Sequence, residues 1–293
     1  MSSQYLSPDD YKSDIKPSWC PGCSVYGIMA ALTRVFSQKQ IDPLKTNLIS
    51  GIGCSSRMPL YFQTFGMHTL HGRAIPVAIG SRLSRPDIKT IVIGGDGDLF
   101  SIGTNHFVHA ARKNFDITVI CIDNRIYAMT KNQASPTSTI GYQGTLTPYG
   151  KLSAVLNVVE FSISCGATFV SRAHCNSPEH LQEMISCAMD HNGFSLVHVL
   201  APCKTFNKES FLSEKCHRVI DINKDLAHDP TDRAAAITHA AASIDFDNNE
   251  SSKIPVGIYW KHHSITFEEQ VKEIRKNTRQ SDVHSIISGL HIS

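Results

Sequence analysis

Two apolar runs, each ending in a polar residue that can bind a cation, restrict this chain more than anything else in it. Ile91-Val92-Ile93-Gly94 leads into Gly95-Asp96-Gly97, and Ile117-Thr118-Val119-Ile120-Cys121-Ile122 leads into Asp123-Asn124. Short continuous apolar runs are what strands buried on both faces look like. A helical pattern, Thr104–Lys113, lies between them. The segment therefore reads as a strand–helix–strand crossover, the unit of a parallel sheet. In such sheets ligands bind beyond the carboxyl ends of the strands, which is where Asp96 and Asn124 stand. A small hard cation such as Mg²⁺ takes oxygen ligands in a tight octahedron, usually with phosphate oxygens among them. Asp96, Asn124 and the backbone carbonyl of Ile126 can supply three. Gly95 and Gly97 let the backbone come close to a diphosphate.

This arrangement resembles the thiamine-diphosphate motif, in which Gly-Asp-Gly and a spacer precede an Asn that ligates Mg²⁺. The spacer, Asp98 to Ile122, is 25 residues. The motif usually ends Asn-Asn. Here it ends Asp123-Asn124, and only the second residue is expected to hold the metal.

The rest of the chain extends the same pattern. Ser24–Phe36 has the apolar spacing of an amphipathic helix. Thr46–Ser50 reads as a strand followed by the glycine-rich turn Gly51-Ile52-Gly53-Cys54. Ala74–Leu83 and Pro178–His191 read as helices, and Ser195–Leu200 as a strand ending at Ala201-Pro202-Cys203. The expected fold is α/β, a doubly wound and mostly parallel sheet with a C-terminal extension. Residues 1–210 form the expected α/β domain. Residues 211–293 are weakly patterned, with helical stretches at 233–242 and 267–278, and read as an arm packed on a partner.

The net charge is +2 over 293 residues, which gives no electrostatic case for nucleic acid. No stretch approaches the ~20 apolar residues of a membrane helix. Residues 1–10 lack the basic and apolar regions of a secretory signal, so the expected location is the cytoplasm. There the nine cysteines are expected to be free, metal-bound or catalytic. Cys121, Cys165, Cys175, Cys187 and Cys216 read as small core residues, and His217, His262 and His263 as surface residues. The pair Cys20-Pro21-Gly22-Cys23 lacks the second pair that a zinc site needs and the preceding strand of a thioredoxin-like motif. Cys54 and Cys203, however, lie on the same sheet edge as Asp96 and Asn124. Four thiolates converging there suit an iron–sulfur cluster.

Six motifs in order make the resemblance specific: Cys20-Pro21-Gly22-Cys23, Gly51 to Arg57, His71-Gly72-Arg73, Gly95 to Asp98, Asp123-Asn124 with Tyr127-Ala128-Met129-Thr130, and Ala201-Pro202-Cys203. Over residues 15 to 210 the chain resembles the β subunit of the 2-oxoacid:ferredoxin oxidoreductases. The resemblance implies a [4Fe–4S] cluster on Cys20, Cys23, Cys54 and Cys203. It implies thiamine diphosphate held around Ile52, Gly53, Cys54, Ser55, Leu70, His71, Gly72, Arg73, Gly95, Asp96, Gly97, Asp98, Asn124, Ile126, Ala128, Met129 and Thr130. Mg²⁺ falls to Asp96, Asn124 and Ile126. His71 and Arg73 would approach the diphosphate or the substrate.

Two departures stand out. Ser24 replaces the usual Gly after the second cysteine, and is expected to cap the helix. The frequent Thr-Gly-Gly-Gln appears as Thr130-Lys131-Asn132-Gln133. Lys131 becomes the candidate contact for a substrate carboxylate, as in the two-subunit enzymes that favour 2-oxoglutarate.

The implied activity is reversible, coenzyme A-dependent oxidative decarboxylation of a 2-oxoacid, with electrons passing through the cluster to ferredoxin. 2-Oxoglutarate is the expected substrate and pyruvate the alternative. No glutamate among the motifs is placed to activate the thiamine ring. The resemblance assigns it to the α subunit, so the chain is expected to be inactive alone. A thiamine decarboxylase without a cluster would need a longer chain with its own glutamate domain. A non-catalytic zinc or redox-binding protein using Cys20 and Cys23 would leave the Gly-Asp-Gly and Asp-Asn elements accidental.

Overall fold

The computed structural model describes residues 5–207, 219–241 and 253–277. Cys216, His217, Ala242 and Thr278 lie outside them. In chain order the principal elements are α1 (Ser24–Lys39), β1 (Thr46–Ser50), β2 (Phe65–His68), α2 (Ala74–Ser84), β3 (Lys89–Gly95), α3 (Asp96–Phe100), α4 (Thr104–Arg112), β4 (Thr118–Asp123), β5 (Ile126–Tyr127), β6 (Gln133–Ala134), α5 (Val158–Ser164), β7 (Phe169–His174), α6 (Pro178–Asp190), β8 (Ser195–Leu200), β9 (Val219–Asp221), α7 (Arg233–Ala241), β10 (Ile254–Lys261) and α8 (Phe267–Asn277).

The main sheet runs β2-β1-β3-β4-β8-β7-β10-β9. Its strands pair in parallel except where β10 meets β7 antiparallel. Alternate residues of the central strands enter two cores. Ile91, Ile93, Ile120, Ile122, Val197 and Val199 pack on the side of α1 and α6. Val92, Val119, Cys121 and Leu196 pack on the side of α2, α4 and α5. Both faces are covered, and this is the physical reason β3 and β4 read as unbroken apolar runs rather than as an alternation. The doubly wound, mostly parallel sheet expected from the sequence is present.

Four strands of this sheet, β2, β7, β9 and β10, did not announce themselves. β7 buries Ser171, Arg172 and His174 among its apolar residues, which masks its pattern. β2 is exposed along its whole length. β10 falls within the segment read as an arm, yet it carries fully buried Tyr259 and Ile254 and joins the sheet beside β7. That part of the C-terminal segment therefore contributes core to this chain. Among the described residues no helix is long and apolar enough to cross a membrane.

Candidate functional site

Four neighbouring strands, β1, β3, β4 and β8, open at their carboxyl ends onto one cavity of about 270 Å³. It is lined by Ile52, Gly53, Cys54 and Ser55 after β1, by Gly95 to Asp98 after β3, by Asn124 and Ile126 after β4, and by Cys203 after β8. Cys20, Cys23, His71, Ala128, Met129 and Thr130 complete it. Motifs spread over nearly two hundred residues thus meet in one place. Leu70, Gly72, Arg73 and Lys131 are not part of this lining. Leu70 is exposed. Arg73 is the residue before α2, with Nη1 against the Gly72 carbonyl at 3.3 Å.

Asp98 stitches the walls together. Its Oδ1 accepts the backbone N–H of Ile52 at 3.0 Å and of Gly72 at 2.7 Å, so one carboxylate ties the turn after β1 to the loop before α2. His71 Nδ1 lies 4.0 Å from the same oxygen. Asp98 Oδ2 is buried without a hydrogen-bond partner. A Cβ on Gly51 would stand 2.0 Å from that oxygen, so only glycine fits there. Gly97 is equally constrained. A Cβ there would stand 2.3 Å from the Tyr127 ring, whose hydroxyl donates to the Gly97 carbonyl at 3.2 Å. Glycine at 97 is therefore what lets Tyr127 pack on this turn, while a Cβ on Gly95 would meet nothing nearer than 3.6 Å.

Asp96, Asn124 and Ile126, the residues expected to hold a cation, all line this cavity. Asp96 is buried, and burial together with Asp123 pushes its carboxyl up to about 7. A divalent ion would displace that proton and supply the missing positive charge. Asn124 closes a tight turn by accepting the Ile126 N–H at 3.0 Å, with Arg125 left-handed at φ 61°. The turn Ser135–Ser138 supports both carboxylates from below. Thr137 Oγ1 lies 2.8 Å from Asp96 Oδ2 and 2.8 Å from Asp123 Oδ1. Lys151 fixes the turn, its buried ammonium donating to the carbonyls of Ser138, Ser153 and Ala154 at 2.9–3.1 Å.

Cys20, Cys23, Cys54 and Cys203 line the same cavity. Cys23 N–H donates to the Cys20 carbonyl at 3.1 Å across a turn in which Gly22 takes φ 73°. Cys23, not Ser24, occupies the cap position of α1. The Ser24 hydroxyl instead reaches the Pro202 carbonyl at 3.4 Å, linking the loops that carry Cys23 and Cys203. Trp19 donates from Nε1 to the Cys54 carbonyl at 2.7 Å and packs edge-on against Tyr26 and Tyr61. Burial, then the neighbouring thiols of Cys23, Cys203 and Cys20, push Cys54 up to about 11. Cys23 is raised for the same reasons. Among the described residues no three His, Cys, Asp or Glu close on a point as they would around one metal ion.

The β5–β6 hairpin overhangs the cavity. Lys131 and Asn132 take φ 70° and 79°, at the two positions where the resembled pattern has glycines. Several residues that build the site carry little or no signal in the sequence. Arg57 and Tyr127 lie inside the six motifs and Trp19 directly precedes the first, and those positions were a usable sign. Thr137 and His198 had no such signal.

Residues 51–199 match the family model of the thiamine pyrophosphate enzyme C-terminal TPP-binding domain. Residues 203–276 match the model of the C-terminal part of the pyruvate ferredoxin oxidoreductase β chain. Subunit β of 2-oxoacid:ferredoxin oxidoreductase 1 from Aeropyrum pernix is 37% identical over 273 residues, covering 90% of this chain and 84% of the relative. The 2-oxoglutarate synthase subunit KorB of Methanocaldococcus jannaschii is 39% identical over 197 residues, 67% of this chain and 73% of the relative. The solved 2-oxoglutarate:ferredoxin oxidoreductase of Magnetococcus marinus, with 2-oxoglutarate, coenzyme A and succinyl-CoA bound, superposes with a TM-score of 0.89 at 39% identity, covering 98% of this chain and 97% of that one.

Proposed function

The chain belongs to the β subunits of the 2-oxoacid:ferredoxin oxidoreductases, and from that premise we propose that it acts on 2-oxoglutarate, holding Mg²⁺, thiamine diphosphate and a [4Fe–4S] cluster in its one shared cavity. The observation that carries this reading is the meeting of Asp96 and Asn124 with Cys20, Cys23, Cys54 and Cys203 around that cavity. When bound, thiamine diphosphate supplies the carbanion chemistry that releases CO₂, and the cluster supplies a one-electron outlet.

This chain's residues do the rest. Asp96, Asn124 and the Ile126 carbonyl hold the cation that grips the diphosphate. Gly95 and Gly97 give its oxygens access to the backbone. His71, beside Asp98, approaches the anionic groups from the α2 side, and Arg73 follows it just outside the lining. Lys131 is exposed at the hairpin tip and takes the substrate carboxylate. Its left-handed backbone is a cost that an ordinary loop lysine would not carry. Such a contact favours a dicarboxylate over pyruvate.

Coenzyme A receives the acyl group, ferredoxin receives the electrons, and the reaction runs in either direction. The activating glutamate comes from the α subunit, so the β chain turns over only in the cytoplasmic complex. The cofactor domain is residues 1–210 completed by β10, which joins its sheet, and the remaining surface of the C-terminal segment packs on the partner. Full exposure of Leu226 supports that last assignment.

The test is anaerobic purification with the partner subunit, followed by iron, sulfide and thiamine analysis. The expected result is about four irons and one thiamine diphosphate per β chain, with viologen reduction that needs coenzyme A and is fastest on 2-oxoglutarate. Pyruvate as the faster substrate would overturn the Lys131 assignment. Zinc in place of iron, with no thiamine, would overturn the whole reading and leave a zinc- or redox-binding protein.

A further inference from the structure

Behind Asp96 a line of buried polar side chains runs across the sheet to its far side. Thr137, Asp123, His198, Arg172 and Tyr259 are each at most 3% exposed. They come from the turn after β6 and from β4, β8, β7 and β10. The donors can be followed from the far end. Tyr259 OH donates to the Pro255 carbonyl at 2.7 Å, so its oxygen accepts from Arg172 Nη1 at 3.0 Å. Arg172 Nε–H donates to His198 Nδ1 at 3.2 Å. That nitrogen is then an acceptor, and a neutral imidazole must carry its proton on Nε2. His198 Nε2 donates in turn to Asp123 Oδ2 at 2.8 Å. Asp123 Oδ1 already accepts the Arg125 N–H at 2.9 Å. Both Asp123 oxygens are thus occupied by donors before Thr137 is considered.

Thr137 has one hydroxyl proton and lies equally close to Asp96 and Asp123. We propose that Arg172, His198 and Asp123 are positioning residues for the cation site: they satisfy Asp123 from behind, which leaves the Thr137 proton to fix Asp96 in its orientation toward the cation. The inference rests on the proposed binding of Mg²⁺ and thiamine diphosphate in the cavity. It assigns a role to the carboxylate at 123, where the resembled motif usually has an amide. Asp123 is not a ligand. It is the end of a donor chain that begins on β10, and Thr137 connects it to the ligand.

The experiment measures the Mg²⁺ concentration that half-saturates thiamine diphosphate binding to the assembled enzyme after both are stripped with a chelator. Titration calorimetry reads binding, and a melt of the stripped complex reads folding. T137V should weaken Mg²⁺ about 10-fold, the lower end of what loss of a partner behind a metal ligand costs, with the melt of the stripped complex unchanged. T137S should restore it. H198L should weaken Mg²⁺ in the same direction, and H198Q, which can both donate and accept, should bind more tightly than H198L. Wild-type affinity in T137V or in an assembled H198L overturns the proposal, as does a T137S variant no better than T137V. If H198L fails to assemble, the Thr137 pair decides alone. A wild-type complex that takes up neither Mg²⁺ nor thiamine diphosphate overturns the cofactor reading and this inference with it.

Discussion

Asp123 offers acceptors on both sides, and His198 and the Arg125 backbone use them from opposite directions. An asparagine would offer one acceptor and one donor group. Whichever way its amide is turned, a donor would face a donor. D123N should therefore destabilise the protein by about 1–3 kcal/mol, the cost of one buried polar mismatch, although it restores the commoner motif residue. A urea melt of the complex measures it, and an unchanged midpoint would contradict the hydrogen-bond directions between Asp123, His198 and Arg125. The same residue shows what a sequence can and cannot reveal. Asp96 and Asn124 were legible because they end apolar runs. Asp123 sits beside them and stood out only as a departure, because the residues that explain it, His198 and Arg172, lie 75 and 49 positions further along.

At the scale of elements, β1, β3, β4 and β8 were legible because each is a short buried run with apolar residues on both faces. β7 was not, since a strand holding Ser171, Arg172 and His174 looks like a solvated loop until its partners are known. β10 was hidden by its position after a polar stretch. The polar residues of β7 carry no local signal, because buried polar groups are stabilised by partners distant in sequence. The turn after β1 is a different case, where a legible glycine has a strict role. G51A would place a methyl carbon 2.0 Å from Asp98 Oδ2. The carboxylate must then leave the N–H groups of Ile52 and Gly72. We expect a melting temperature several degrees lower, matching ~1–3 kcal/mol for the lost buried bonds, together with weaker thiamine diphosphate binding. Calorimetric scanning and cofactor titration check the two effects. A variant that melts and binds as wild type would mean that Asp98 is not the stitch between these loops.

For the molecule as a whole, His191 gives stability a pH dependence that does not involve the cofactor site. It is buried under Phe169 and beside His263. Thr168 Oγ1 donates to Asn114 and so accepts from His191 Nε2 at 2.9 Å. Burial, then the neighbouring His263 and Lys261, pull His191 down to about 4. The folded value lies below the unfolded one near 6.5. Its contribution is therefore complete above pH 6.5 and is lost as the pH falls toward 4, where the unfolded chain takes up a proton that the folded chain refuses. The loss amounts to about 2–3 kcal/mol across that window. H191Q should flatten that part of the profile. Melts at pH 7.5 and pH 5 test this, and an equal drop in both proteins would exclude His191 as the source.

The place of β10 in the sheet has a consequence for anyone who treats the chain as modular. A gene fragment cut near residue 210, after the last cysteine motif, would carry every conspicuous signature and still encode an incomplete sheet, with β7 as an open edge and Arg172 without Tyr259. A chimera built by exchanging catalytic halves between relatives has to take residues 254–261 along with the half they complete.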